Sequence, residues 1–197
     1  MAAFDLIIKG GTVVTATDTT TCDVGVRDGK VAALGRDIGD GDREIDATGK
    51  LLMPGGIDSH CHIEQVSGMG VMCADDFYTG SVSAAFGGTT TIIPFACQHR
   101  GDQLRAVVKD YHDRAGPKAV IDYAFHLIVT DPTEQALNQD LPALIRDGYT
   151  SFKVYMTYDG TKLDDFQMLD VLSVARREGA LTMIHAENWD MIRWVTK

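Results

Sequence analysis

Three histidines and a lysine stand near the ends of strand-like segments, and their types and spacing could hold a metal ion. In Gly56-Ile57-Asp58-Ser59-His60-Cys61-His62 side chains alternate between faces, so Asp58, His60 and His62 share one side and Cys61 takes the other. Two imidazoles one pleat apart lie about 7 Å apart at the backbone, close enough to converge on one ion. Asp58 is then a further ligand's neighbour or an acceptor that orients an imidazole. Phe152-Lys153-Val154-Tyr155-Met156 places a lysine among apolar residues in a buried strand, which is costly unless the amine is paired or chemically altered. One reading is a salt-bridged lysine at the strand mouth. The other is a neutral amine that adds CO₂ to become a carbamate, an anion able to bridge two metal ions. His185, in Thr182-Met183-Ile184-His185-Ala186-Glu187, is a satisfied lining residue or a third imidazole ligand. The other histidines carry less. His99 falls in a loop and His112 on a helix, and both read as ordinary; His126 reads as lining on the face of Asp122 and Ala124, and Cys73 as a plain loop cysteine.

The elements that must position these residues change character near residue 54. Residues 1–53 are strand and turn throughout. Phe4–Lys9 leads through Gly10-Gly11 into Thr12–Thr15, Asp28-Gly29 sits between two strands as a hairpin turn, and Glu44–Ala47 and Leu51–Met53 flank another turn. The expectation is a small antiparallel segment belonging to a β-sandwich. From 54 to 197 strands alternate with helices. Thr89–Phe95, Val120–Val129, Ser151–Met156 and Leu181–Ile184 read as strands. Leu104, Val107, Val108 and Tyr111 fall at helical spacing, Leu141, Leu144 and Ile145 mark another helix, and Met168, Val171, Leu172 and Ala175 a further one. Gly87, Gly116, Gly148 and Gly179 follow the helical stretches about thirty residues apart, where a left-handed position favours glycine. That period, with buried-looking strands, implies a parallel sheet, either doubly wound or a (β/α)₈ barrel. The first strand–helix turn lacks a GxGxxG phosphate loop, so the barrel leads. The expected architecture is α/β: a (β/α)₈ TIM-type barrel cut after about five units, with the N-terminal part of a small β-sandwich. Barrel active sites sit at the C-terminal strand ends, where the candidate ligands stand.

Composition bounds the partners. The 197 residues carry a net charge of −10, against a nucleic-acid backbone or an anionic membrane surface as partner. No basic-plus-apolar leader opens the chain and no apolar stretch approaches the roughly 20 residues that span a bilayer. Four cysteines without CxxC spacing fit reduced thiols in a cytoplasmic protein. Glu187–Lys197 reads as a helix that stops without a cap, its Trp189 and Trp194 wanting burial.

Together these motifs resemble the amidohydrolase superfamily, and within it the dihydropyrimidinase/hydantoinase family. The carrying stretches are Met53–His62, Asp122–His126, Ser151–Tyr158 and Ile184–Asn188, spread over essentially the whole chain. The resemblance implies two zinc ions, with Mn, Co or Fe as substitutes, bridged by a carbamylated Lys153 and a hydroxide. His60 and His62 would bind the more buried ion and His185 the other, and Tyr158 would hydrogen-bond the substrate carbonyl and its oxyanion. It also implies a further histidine on strand six and an aspartate on strand eight, beyond these five strands, so the 197-residue chain alone is expected to be inactive. The implied reaction opens a dihydropyrimidine or hydantoin to an N-carbamoyl amino acid, in a homotetramer when intact. Dihydroorotases carry an arginine two residues after the second histidine. Glu64 occupies that place and would repel an anion, so a small neutral cyclic ureide is the expected substrate. The loop from Gln65 to Cys73, with Val66, Met69, Val71 and Met72, walls the pocket or packs on a neighbouring loop. The alternatives are a non-enzymatic dihydropyrimidinase-like assembly or regulatory fragment, and another amidohydrolase such as an allantoinase.

Overall fold

The computed structural model describes residues 2–67 and 70–197. The chain divides into two compact units, Met1–Gly55 and Gly56–Lys197.

In the first unit, β1 (Phe4–Val14), β2 (Thr19–Arg27), β3 (Lys30–Gly35), β4 (Gly41–Asp46) and β5 (Leu51–Leu52) form one sheet in the order β3-β2-β1-β4, with β5 also on β1. Asp28 and Gly29 both have positive φ, so the Asp-Gly pair makes the hairpin turn its sequence indicates. Two expectations fail. Gly10-Gly11 is no turn: β1 runs through it as a bulge, with Gly10 at φ +69° and its N–H donating to Asp23 Oδ1 at 2.9 Å. Nor is the sheet antiparallel throughout, because β4 and β5 pair with β1 in parallel. A small core of Val13, Cys22 and Val24 backs it.

The second unit alternates strand and helix. Its parallel sheet runs β11-β10-β9-β7-β6, from β6 (Gly56–Cys61), β7 (Thr89–Cys97), β9 (His126–Ile128), β10 (Ser151–Tyr155) and β11 (Leu181–His185). The third strand position is broken: β8 (Asp122–Tyr123) and β9 pair in succession with β7, where one continuous strand was expected. The helices are α1 (Phe77–Phe86), α2 (Leu104–Ala115), α3 (Leu141–Arg146), α4 (Asp165–Glu178) and α5 (Trp189–Val195). Capping boxes start two of them, Asp76 with Thr79 on α1 and Asp164 with Gln167 on α4. A π-helical turn, Ala136–Asp140, leads into α3, and Pro142 just beyond it lacks an N–H for a regular ladder.

Ile92, Ala96, Leu127, Phe152 and Val154 face outward from the sheet into a core shared with Leu104, Val107, Val108 and Tyr111 of α2, Leu141 and Leu144 of α3, and Val171 and Ala175 of α4. Each buried Val, Leu, Ile or Phe among them contributes roughly 1.5–3 kcal/mol. The apolar stripes expected on α2 and α3 are buried. On α4 the buried face is Val171, Val174 and Ala175, with Leu172 turned partly aside. The spacing of the four glycines measures the repeat, but only Gly148 and Gly179 are left-handed themselves. After α1 the left-handed residue is Gly88, one position on. Gly116 is right-handed and sits tight, since a Cβ there would lie 3.1 Å from the His112 carbonyl.

His112 ties α2 to the approach of β10. Its Nε2 lies 2.5 Å from the Tyr149 hydroxyl, and its ring packs edge-on to Phe125. Burial pulls its pKa below 6.5, against an opposing pull from Asp113. The folded state thus holds fewer protons than the unfolded chain in acid, and stability falls as pH drops through 6.5 toward the lowered value. Thermal melts between about pH 8 and pH 5 should show this decline, and His112→Gln should flatten part of it.

Candidate metal and substrate site

The concave face of the parallel sheet carries the candidate residues. Phe95 on β7 is its centre on one side: His60 lies 4.8 Å from it between ring centroids, His62 5.1 Å and stacked, His126 5.1 Å. His60 and His62 are 5.8 Å apart edge to face. His62 Nδ1 meets Gln65 Oε1 at 2.7 Å, which leaves Nε2 free as a donor toward an ion. The His60 ring has no hydrogen-bond partner among the described residues.

Asp58 departs from the expected alternation. The β6–β7 register is irregular between Asp58 and Cys61, and Asp58 pairs with Ile92 of the outer core. Its Oδ1 accepts from the His60 N–H at 3.0 Å. Burial and this nearby carboxylate push the Cys61 thiol up to about 11, so it stays protonated and does not compete as a thiolate for metal.

His126 is buried with both nitrogens engaged, Nε2 with the Ser59 carbonyl at 2.9 Å and Nδ1 with Ser151 Oγ at 2.5 Å. Burial first, and His60 nearby, lower its pKa despite the Ser59 carbonyl. A carbonyl only accepts, so Nε2 carries the proton and Nδ1 accepts from the Ser151 hydroxyl. His126 stands on β9, so its Nδ1 meets the adjacent strand β10 while its Nε2 reaches across β7 to β6. Those two strand spacings amount to about 10 Å in a flat sheet, so the sheet curls to bring Ser59 within reach of one imidazole, as a barrel wall does.

A second group sits across the face on β10 and β11. Lys153 pairs in register with Met183 and Tyr155 with His185, so these four share one side. Lys153 Nζ is 5.3 Å from the Tyr155 ring centre, and His185 stacks on Tyr155 at 5.8 Å. The His185 Nε2 is paired with the Glu187 carboxylate, leaving Nδ1 open. Tyr158 lies 5.5 Å from His185 and 5.7 Å from Trp189, whose Nε1 donates to Asp159 Oδ1 at 2.7 Å. Tyr158 itself has φ +67°, a left-handed conformation costing a non-glycine residue about 1–2 kcal/mol.

The structure therefore gathers His60 with His62, and Lys153 with Tyr158 and His185, on one concave surface. No ring contact or hydrogen bond links the two groups, and no set of three His, Cys, Asp or Glu side chains converges among the described residues. The sequence assigns no role to Gln65, Ser151 or Tyr155, and asks of Trp189 only burial. Of these only Gln65, three residues past His62, left a local signal.

Glu64 is otherwise employed than expected. Its carboxylate pairs with Lys118 at 2.8 Å and accepts from the Phe77 N–H at 3.1 Å, so it braces α1 instead of facing a substrate. Val66 and Met72 line a cavity of about 330 Å³ with Gln65, Cys97, His99 and Tyr111, whereas Val71 is exposed and Met69 lies outside the described residues. In α5, Trp189 is half-buried against Tyr158 and Trp194 stays exposed.

A curved parallel sheet with helices on its outer side and imidazoles at its C-terminal strand ends defines the class: the first five units of a TIM-type hydrolase barrel, in a chain that also carries part of a small sandwich. The chain belongs to the amidohydrolase family, which residues 51–197 match. It is 46% identical to the D-hydantoinase of Geobacillus stearothermophilus over 194 residues, 97% of this chain and 41% of that protein. A solved D-hydantoinase structure superposes with a TM-score of 0.92 at 45% identity, over 97% of this chain and 42% of the other. The dihydropyrimidinase of Brevibacillus agri NCHU1002 gives 0.91 at 42% identity, over 96% and 41%. The chain spans about two fifths of the length of the curated relatives it matches.

Proposed function

We propose that the protein containing this chain hydrolyses a cyclic amide, opening a dihydropyrimidine or hydantoin ring to an N-carbamoyl amino acid. The observation that carries the reading is the arrangement of His60, His62, Lys153 and His185 on the C-terminal, concave side of one barrel wall, in a chain 46% identical to a D-hydantoinase. In the reaction a water oxygen bonds to the ring carbonyl carbon, the carbon–nitrogen bond breaks and the nitrogen takes the proton.

The donor set fits a divalent metal at the histidine pair. Both imidazoles are on one side, His62 is oriented by Gln65, and the neighbouring thiol is held protonated. His60 and His62 would hold one zinc ion, Lys153 as a carbamate would reach a second, and His185 would complete the donors this chain supplies. Such ions lower the pKa of water toward neutrality and polarise a carbonyl. The chain's own residues do the rest. Tyr158, half-exposed and without a hydroxyl partner among the described residues, donates to the carbonyl oxygen as negative charge grows on it. Phe95 walls the imidazoles with apolar surface. The four cysteines are free thiols, consistent with a cytoplasmic location, and a homotetramer is the assembly the resemblance implies.

The position after the second histidine that would need a cation for a carboxylated ring holds Glu64, and the adjacent cations Arg114 and Lys118 are both spent on Glu64. Neutral rings are therefore the substrates. With the zinc-loaded intact protein, dihydrouracil or hydantoin should open, and a ring bearing a carboxylate should react at least about 10²-fold more slowly in kcat/KM. Absence of ring opening with either class would overturn the assignment.

A further inference from the structure

We propose that His126 is a positioning residue: it fixes the peptide unit on which His60 is mounted, and so sets the aim of the His60–His62 pair. The irregular register leaves Ser59 and His60 without ladder partners on β7, because pairing passes from Asp58–Ile92 directly to Cys61–Pro94. A candidate ligand on unsupported backbone would point poorly. The peptide between Ser59 and His60 is instead held from both sides. Its N–H donates to Asp58 Oδ1 at 3.0 Å, and its carbonyl accepts from His126 Nε2 at 2.9 Å.

His126 can hold that carbonyl because it is itself held. It is 8% exposed, its ring packs on Phe95, and the Ser151 hydroxyl, 2.5 Å away, donates to its Nδ1 and anchors the far side of the ring. Ser151 begins β10, the strand that carries Lys153 two residues on. One imidazole thus ties the strand bearing the histidine pair to the strand bearing the lysine. The inference rests on the proposed reading of His60 and His62 as metal ligands. Groups that orient a ligand from outside typically control metal affinity or activity by about 10–100-fold.

The test is zinc binding by the intact protein, titrated against a chromophoric chelator, with the visible absorption of the cobalt(II) form as a second readout. His126→Leu keeps the volume and removes both hydrogen bonds. It should weaken zinc at the histidine pair by about 10–100-fold, perturb the cobalt spectrum, and lower kcat with KM little changed. His126→Gln, which can still donate to Ser59 and accept from Ser151, should recover most of the affinity. Ser151→Ala, a milder change that leaves the Ser59 bond, should shift both readouts in the same direction and serves where the leucine variant does not fold. His60→Ala separates the two claims. If it leaves zinc binding intact, the metal reading falls. If it abolishes binding at that site while folded His126→Leu binds zinc and shows the cobalt spectrum of the wild type, the positioning role falls. Equal losses in His126→Leu and His126→Gln also overturn it.

Discussion

Replacing Lys153 with alanine should reduce ring opening by about 10³-fold or more while leaving the melting temperature unchanged or raised. The two halves of that expectation come from one observation. Lys153 lies between Phe152 and Val154, both fully buried, yet its own side chain is on the concave face, only partly exposed. Its Nζ has no hydrogen bond or ion pair among the described residues and lies over the Tyr155 ring, 5.3 Å from its centre. A half-buried ammonium without a counter-ion is costly, and truncating it removes no hydrogen bond or ion pair, only a cation–π contact worth about 0.5–1 kcal/mol. Stability therefore has little to lose. Function has, if the amine is there to become a carbamate. Lys153→Arg separates this role from that of a simple cation: a guanidinium keeps the charge but cannot add CO₂, so it should be as inactive as alanine. A short carboxylic acid entering the space left in Lys153→Ala should restore part of the activity by supplying the missing anion. Full activity in either variant would remove Lys153 from the site.

The parts of this structure legible in sequence are those whose cause is local. The stripe Leu104, Val107, Val108 and Tyr111 is buried on α2 because four residues at helical spacing can only face one way. His60, His62, Lys153 and His185 stood out because buried strands rarely carry such groups at their C-terminal ends without a use. What escaped depends on partners distant in the chain. Gly10-Gly11 has the composition of a turn, but the Asp23 carboxylate, thirteen residues away, takes the Gly10 N–H and makes it a bulge. The parallel pairing of β4 with β1 leaves no trace in either strand. Asp58 breaks the period-two rule because the β6–β7 ladder slips beside it. The same slip leaves the Ser59 carbonyl to a histidine 67 positions further on, a role that no local pattern could assign to His126.

Substitutions of Tyr158 should separate stability from catalysis. Tyr158→Phe should lower kcat about 10²–10³-fold, the loss usual when one donor to a developing oxyanion is removed. KM should change little if the hydroxyl acts mainly in the transition state, so kcat and kcat/KM fall together. The fold should be indifferent, since the hydroxyl has no partner among the described residues and the side chain is 47% exposed. The backbone gives the second arm. At φ +67° a tyrosine is strained, while glycine adopts that conformation freely. Tyr158→Gly should therefore melt at or above the wild type although it loses the ring's contacts with His185 and Trp189, and it should be at least as inactive as the phenylalanine variant. A position kept strained where glycine would relax it is retained for its side chain. The opposite pattern would assign Tyr158 a packing role: a phenylalanine variant with wild-type kcat and a glycine variant that melts well below it.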